Sequence, residues 1–304
     1  MQNVLVTGST GFVGAYVLKI LIEKGLNVAI IIRSNSDTWR VNKFLSSCLV
    51  LKSDLKNISS LNSKIKDFSP DCCIHLAWSG VFGSERNDEI QYQNYFSSIQ
   101  LLQLCIDVGC KNFIGLGSQA EYGQMSGVIS EKDKVNPTTL YGKTKLKTFR
   151  KLKEISELNN INFTWLRLFS TYGPLDNNNW LIPYTIKKFL LKDSPKLTKG
   201  EQIWDYLYVE DAANAIVQIA IEKKRGLFNL GSGNPIKLKD LIIIIKEKID
   251  INLELKFGDI PYRDDQVMHL EADISKLKNV IEWIPKTSLD SGLEKTILWI
   301  RELN

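Results

Sequence analysis

The sequence predicts an α/β protein, a doubly wound parallel sheet followed by a small mixed α/β lobe at the carboxy terminus. Three observations carry that reading. Short apolar runs alternate with helical patterns as far as residue 170, the rhythm of parallel strands joined by crossover helices. The first run, Val4-Leu5-Val6, ends in Gly8, Gly11 and Gly14 and passes straight into a helical pattern (Val13, Val17, Leu18, Leu21, Ile22) stopped by Gly25. Beyond residue 170 the segments shorten and turn polar, punctuated by Pro174, Pro183, Pro195, Pro235, Pro261 and Pro285.

The elements follow in order. Residues 27–32 form a buried strand, then Arg33-Ser34-Asn35-Ser36 a polar loop. A third strand covers 48–51 and ends at Ser53-Asp54; helical spacing covers 58–68, and Pro70 closes it. Strands at 72–76, 113–116 and 163–168 alternate with long helices at 88–108 and 140–158. Residues 1–170 are thus read as a dinucleotide-binding domain and 171–304 mainly as a substrate lobe, with chain near 203–230 crossing back. In that second part, helices are expected at 211–221, 238–249 and 289–300, and residues 228–230 are placed to rejoin the sheet. No internal repeat or low-complexity segment interrupts this order.

Composition narrows the class. The chain has 304 residues, 44% hydrophobic and 24% charged, as an ordinary soluble protein does. Its most apolar run, 241–245, is far below the roughly 20 residues of a membrane span. A strand opens the chain in place of a cleavable leader, so a cytoplasmic location is expected. Cys48, Cys72, Cys73, Cys105 and Cys110 read as reduced, mostly buried hydrophobes, and with only His75 and His269 no metal site is expected. Net charge is +5, and Lys143, Lys145, Lys147, Lys151 and Lys153 read as scattered over helix faces, so no nucleic-acid partner is predicted. An anionic small molecule suits the charge.

The glycine turn is the first chemical signal. Glycine lets a ligand approach the main chain, and the following helix start offers free amides and the positive dipole end to an anion. A dinucleotide diphosphate fits the stretch from Gly8 through Thr10, Gly11, Phe12 and Val13 to Gly14. Tyr141 and Lys145 lie four apart at a helix start, after Asn136-Pro137, and share one face. A nearby ammonium is expected to lower the phenol from its ordinary value near 10, so that Tyr141 exchanges protons near neutrality. Ser118 ends the fifth strand, where open parallel sheets bind ligands, and its hydroxyl is placed to hold the oxygen that Tyr141 protonates.

With these residues in hand, the chain resembles an extended short-chain dehydrogenase/reductase of the NAD-dependent epimerase/dehydratase family, whose members act on nucleotide sugars. The resemblance runs nearly end to end. It includes Thr7 to Gly14, Asp54-Leu55, His75-Leu76-Ala77, Asn94, Ser118, Tyr141-Gly142-Lys143-Thr144-Lys145 and Arg167-Leu168-Phe169-Ser170-Thr171-Tyr172-Gly173-Pro174. It continues through Asp205-Tyr206-Leu207-Tyr208-Val209-Glu210-Asp211, Asn229-Leu230-Gly231-Ser232-Gly233 and Asp273-Ile274-Ser275-Lys276. The resemblance implies that Ser118, Tyr141 and Lys145 are catalytic and that Asp54, beside Leu55, contacts the adenine. It implies that Leu76, Ala77 and Leu168 line the cofactor and that Lys145 also holds the nicotinamide ribose. It implies a substrate site containing Trp78, Ser79, Ser118, Gln119, Asn179, Trp204 and Arg263, the last in the position of a diphosphate arginine. A second diphosphate arginine is replaced by Trp204, which stacks on a base or packs. A homodimer through the helices holding Asn94 and Tyr141 is also implied, with Leu101, Leu104, Ile106, Leu146, Phe149 and Leu152 spaced to permit a helix bundle.

Three departures bear on the reaction. The second strand ends in Arg33-Ser34 with no acid, which favours NADP(H) over NAD(H), because Arg33 pairs a 2′-phosphate and Ser34 assists. Gln119 and Ala120 stand where the family's dehydratases carry an Asp-Glu pair, and Glu121 is offset by one residue. Ala120 also replaces the cysteine of the fucose-forming epimerase-reductases. The reading that remains is an NADPH-dependent reductase of a 4-keto-6-deoxy nucleotide sugar. The alternative is an NAD-dependent nucleotide-sugar 4-epimerase, and a more distant one is a non-catalytic NADPH-binding regulator.

Overall fold

The computed structural model describes residues 2–262 and 266–303. In the first half the strands are β1 (Asn3–Thr7), β2 (Asn27–Ile32), β3 (Leu49–Lys52), β4 (Cys72–His75), β5 (Asn112–Ser118) and β6 (Gly127–Ile129). The second half adds β7 (Asn162–Leu168), β8 (Ser170–Tyr172), β9 (Ile203–Trp204), β10 (Tyr206–Tyr208), β11 (Gly226–Leu230), β12 (Ile236–Lys237) and β13 (His269–Ala272). The helices are α1 (Phe12–Glu23), α2 (Asn62–Phe68), α3 (Ile90–Asp107), α4 (Leu140–Leu158), α5 (Leu181–Leu190), α6 (Val209–Ile221), α7 (Leu238–Ile249), α8 (Ser275–Ile281) and α9 (Leu289–Leu303).

Seven of these strands form one sheet in the order β11-β7-β5-β4-β1-β2-β3, and every neighbouring pair is parallel. This is the expected doubly wound, Rossmann-type α/β fold. Side chains alternate between its two faces. Val4, Val6, Val28 and Ile30 pack under Leu18 and Leu21 of α1 and Ile216 of α6. Leu5, Ala29, Ile31, Cys73 and Phe113 pack under Leu101 and Cys105 of α3 and Leu152 of α4. Both faces are covered, which is why these strands read as continuous apolar runs. Residues 228–230 do rejoin the sheet, as part of its edge strand β11.

A third core joins the carboxy-terminal elements: Ile182, Ile186 and Phe189 of α5, Leu241 and Ile245 of α7, and Leu293 and Ile297 of α9. Two small sheets, β10-β8 and β12-β9-β13-β6, link this lobe to the large sheet.

Several local readings change. The helix expected at 58–68 is a 3-10 segment (Leu55–Leu61), irregular at Asn57, followed by the shorter α2; the Asp54 carboxylate caps it through the Lys56 amide at 2.9 Å. Leu101, Leu104 and Leu152 are buried in the core between the sheet and α3–α4, and Leu146 is buried as well, so these four do not form an exposed apolar face. The exposed apolar residues of α3 are Tyr92 and Phe96. Among the lysines of α4, Lys143, Lys147 and Lys153 are exposed but Lys145 is buried. All five cysteines are free thiols, Cys48 half-buried and the others buried. Among the described residues no helix is long and apolar enough to cross a membrane, and no cluster suits a metal.

Candidate active site

At the carboxyl ends of the parallel strands a cleft of about 980 Å³ runs between the large sheet and the carboxy-terminal lobe. Its first wall is the glycine turn. Gly8 has φ +75, and a Cβ there would lie 2.5 Å from the Ala77 amide nitrogen. A Cβ on Gly14 would overlap the Gly8 carbonyl, so α1 can start this close to β1 only with glycine. Gly11 caps α1 without any side-chain hydrogen bond, and no acidic residue stands in the first turn. Gly8, Gly11, Phe12, Val13 and Gly14 all line the cleft. A helix N-terminus whose amides are left uncapped by side chains, opening on a cleft, fits the diphosphate of a dinucleotide. Leu76 and Leu168 line the same groove.

Beyond the turn lie the three residues singled out for chemistry. Thr139 caps α4, its hydroxyl accepting from the Gly142 amide at 3.1 Å, which sets Tyr141 in the first turn. Tyr141, Lys145 and Ser118 all line the cleft. Tyr141 and Lys145 are buried, 8% and 4% exposed, so their protonation is set by the protein more than by water.

The expected lowering of Tyr141 by Lys145 is not what this geometry produces. Burial pushes the phenol above its ordinary value; the Ser118 hydroxyl and the Arg86 guanidinium act against that, and the Glu121 charge adds to it. Burial also pulls Lys145 down to about 7, with Glu121 opposing. The Lys145 ammonium donates to the Leu116 carbonyl at 2.5 Å and sits 3.6 Å from the centre of the Trp78 ring. It is 5.9 Å from the centre of the Tyr141 ring, whereas the Arg86 guanidinium lies over that ring at 4.7 Å. Sequence reasoning missed Arg86 because it stands in a short 3-10 turn (Gly83–Asn87) with no motif around it. That turn is tied to α4 by Asn87, whose side-chain oxygen accepts from the Leu140 amide at 2.9 Å.

Trp78 lines the cleft edge-on to Tyr141, with its indole N–H donating to Gln91 at 2.8 Å. Lys145 covers one of its faces, so that face cannot stack on a sugar ring. Ser79 is held through its backbone by the Asn94 carboxamide, which both accepts from its amide and donates to its carbonyl. This explains Asn94 as a structural residue; Ser79 is not among the lining residues. Asn179 is exposed and does not line the cleft either. Its amide donates to the Asn177 side chain in a local turn, and it is Asn177 and Trp180 that border the cleft. Trp204 does line the cleft and is also packed: its indole N–H donates to Ser170 at 2.6 Å. Gln119 lines the cleft, and Arg263 lies outside the described residues.

Arg33 and Ser34 are exposed just past the end of β2. Arg40, further along the same loop, reaches the cleft and donates to the Leu175 carbonyl at 2.8 Å. Arg40 also rests on the Trp39 ring, which stacks on Trp299 of α9 and so ties this loop to the far lobe. Leu55 packs into the core on the α3 side.

Fold and cleft together describe an α/β protein of the dinucleotide-dependent class. The chain belongs to the NAD dependent epimerase/dehydratase family, whose profile matches residues 4–231. It is 27% identical to a UDP-glucuronate 4-epimerase of Thermodesulfobacterium geofontis, over 99% of this chain and 97% of the relative. It is 26% identical to a dTDP-6-deoxy-L-talose 4-dehydrogenase (NAD(+)) of Aggregatibacter actinomycetemcomitans, over 86% of this chain and 96% of the relative. Among solved structures, a UDP-N-acetylglucosamine 4-epimerase from Methanobrevibacter ruminantium superposes with a TM-score of 0.91 at 26% identity, covering 100% of this chain and 99% of that one.

Proposed function

We propose that this protein is a nucleotide-sugar 4-epimerase that works with a nicotinamide dinucleotide. The observation that carries the reading is the meeting of Ser118, Tyr141 and Lys145 with an uncapped glycine turn in one cleft. The 4-epimerase relatives reverse the order of the two readings drawn from the sequence, which put the reductase first. In this reading the turn from Gly8 to Gly14, with Thr10, Phe12 and Val13, holds the diphosphate. Leu76, Ala77 and Leu168 border the dinucleotide, and Asp54 meets the adenine. When bound, the nicotinamide supplies the hydride acceptor and donor for one sugar carbon.

Tyr141 takes the proton of the 4-hydroxyl as that carbon becomes a ketone, while Ser118 holds the oxygen. After the sugar has turned over, so that the opposite face of its C4 carbonyl would take the hydride, Tyr141 returns the proton to the C4 oxygen. The Ser118 hydroxyl and the Arg86 guanidinium favour the phenolate form of Tyr141 that takes the proton, against its burial, and Lys145, drawn down to about 7 by burial, lines the same cleft. Purified protein given a panel of UDP-, CDP- and dTDP-sugars with NAD+ should interconvert C4 epimers without net reductant. Stoichiometric NADPH consumption with a 4-keto sugar, and no epimer formed, overturns the epimerase.

The reductase remains a second reading on specific grounds. Arg33 and Ser34 stand where an acid would select against a 2′-phosphate, and one relative is named a 4-dehydrogenase (NAD(+)) and not an epimerase. Titrating NAD+ against NADP+ by calorimetry tests this preference directly. A homodimer is proposed through the α3–α4 face, where Tyr92 and Phe96 are exposed. Light scattering at a mass of one chain overturns that.

A further inference from the structure

Glu121 stands one residue past the position of a dehydratase acid, and it does not face the cleft. It is wholly buried. Its carboxylate accepts from the Ser118 amide at 3.0 Å, the Trp165 indole N–H at 2.9 Å and the Arg167 Nε–H at 2.8 Å. The Ser118 hydroxyl in turn accepts from the Ala120 amide at 3.2 Å, so Ser118 and Glu121 close a reciprocal capping box around a single 3-10 turn. Arg167 is 2% exposed, with its guanidinium 4.4 Å from the centre of the Tyr122 ring. A Cβ on Gly117 would overlap both Trp165 and Glu121, so the end of β5 is moulded to this carboxylate.

A buried ion pair adds little net stability over an apolar pair of the same size. Stability therefore gives no reason for placing one directly beneath Ser118. We propose that Glu121, held in turn by Arg167, is a positioning residue that fixes Ser118 opposite Tyr141. The inference rests on the proposed hydride-transfer site and names what supports it. Glu121 touches no reacting atom: its contact with the site is the Ser118 amide, Arg167 acts through Glu121, and removing the two together takes away the Glu121 charge felt by Tyr141 and Lys145 along with its counterion.

A double-mutant cycle tests this. Glu121→Val is made together with Arg167→Met, so that no guanidinium is stranded, in wild-type and Ser118→Ala backgrounds. With Ser118 present, kcat should fall about 10- to 100-fold, the scale of a misplaced group, with KM and cofactor affinity little changed. In the Ser118→Ala background the same pair should cost nothing further. Glu121→Gln with Arg167→Met retains an acceptor for the Ser118 amide and should recover most of kcat. If the valine variant does not fold, Glu121→Gln alone runs through the same cycle with a smaller loss. A kcat loss that persists without Ser118, or no loss at all, overturns the proposal. Amide exchange at Ser118 is read in parallel: it should quicken in the valine variant or, failing that, in Glu121→Gln alone. If the wild type turns over no nucleotide sugar, the functional reading fails, and an unchanged Ser118 exchange rate then overturns the positioning role independently.

Discussion

The two ends of the cleft are built from different materials. At the end proposed for the dinucleotide the wall is main chain: Gly8, Gly11 and Gly14 lie within seven residues, and the groups offered are amides at the start of α1. At the end proposed for the sugar the wall is side chain. Trp78, Phe82, Arg86, Trp180 and Trp204 come from widely separated segments, and Phe82 meets Trp180 edge to face at 5.0 Å from across the cleft. A main-chain wall is strict about shape, since one added carbon collides with backbone that cannot move. A side-chain wall tolerates substitution and changes its preferences with it. A family that keeps one cofactor class and varies its sugars needs this division.

The most severe way to separate the two ends is Tyr141→Phe. Turnover should fall about 10²- to 10⁴-fold, the usual contribution of a positioned proton donor, while calorimetry finds nearly unchanged cofactor affinity. A comparable loss of cofactor binding would mean that the ends are not independent. Gly14→Ala strikes the opposite end. Its Cβ meets the Gly8 carbonyl and the Ser9 Cα, so cofactor binding should be lost along with about 3 kcal/mol of stability in thermal unfolding. Gly25→Ala is the control: nothing lies within 4 Å, φ is +70, and about 1 kcal/mol should be lost with binding intact.

His75 lies buried at the end of β4, bonded to Thr7 at 2.7 Å and Ser98 at 2.9 Å. Burial, reinforced by the Lys145 charge, holds its imidazole down to about 3. The unfolded chain takes up that proton near 6.5, so between those values the unfolded state binds more protons. Stability present above pH 6.5 should therefore fall by up to about 1.4 kcal/mol per pH unit as the pH drops. His75→Gln should flatten that part of the curve in urea titrations across pH; an unchanged slope refutes the assignment. The smallest effect is expected from Trp180→Ala. Loss of the aromatic pair, worth about 1 kcal/mol, should raise the sugar KM a few-fold and leave cofactor affinity alone.

Much of the dinucleotide end was legible in the sequence because its determinants are local. The glycine spacing, the helix that follows it and the four-residue step from Tyr141 to Lys145 each lie within one or two turns of chain. The sugar end was read less well. Asn179 was favoured from its segment, yet its neighbours Asn177 and Trp180 border the cleft. Arg86 and Arg40 went unremarked, since exposed-looking cations in loops carry no periodic signal. Proximity in sequence pairs Tyr141 with Lys145, whereas in the fold the lysine turns to Trp78 and an arginine from 55 residues earlier covers the tyrosine ring.

By itself the sequence determined the alternation of the large sheet's strands with helices as far as residue 168, the glycine turn after β1 and the presence of Ser118, Tyr141 and Lys145. Periodicity and glycine geometry act over a few residues, so they survive without knowledge of neighbours. Tertiary structure alone decided that Glu121 turns into the core toward Arg167, that Lys145 is drawn to about 7, and which aromatic rings wall the sugar end. Burial and charge pairing depend on segments distant in the chain, and only folding brings those together.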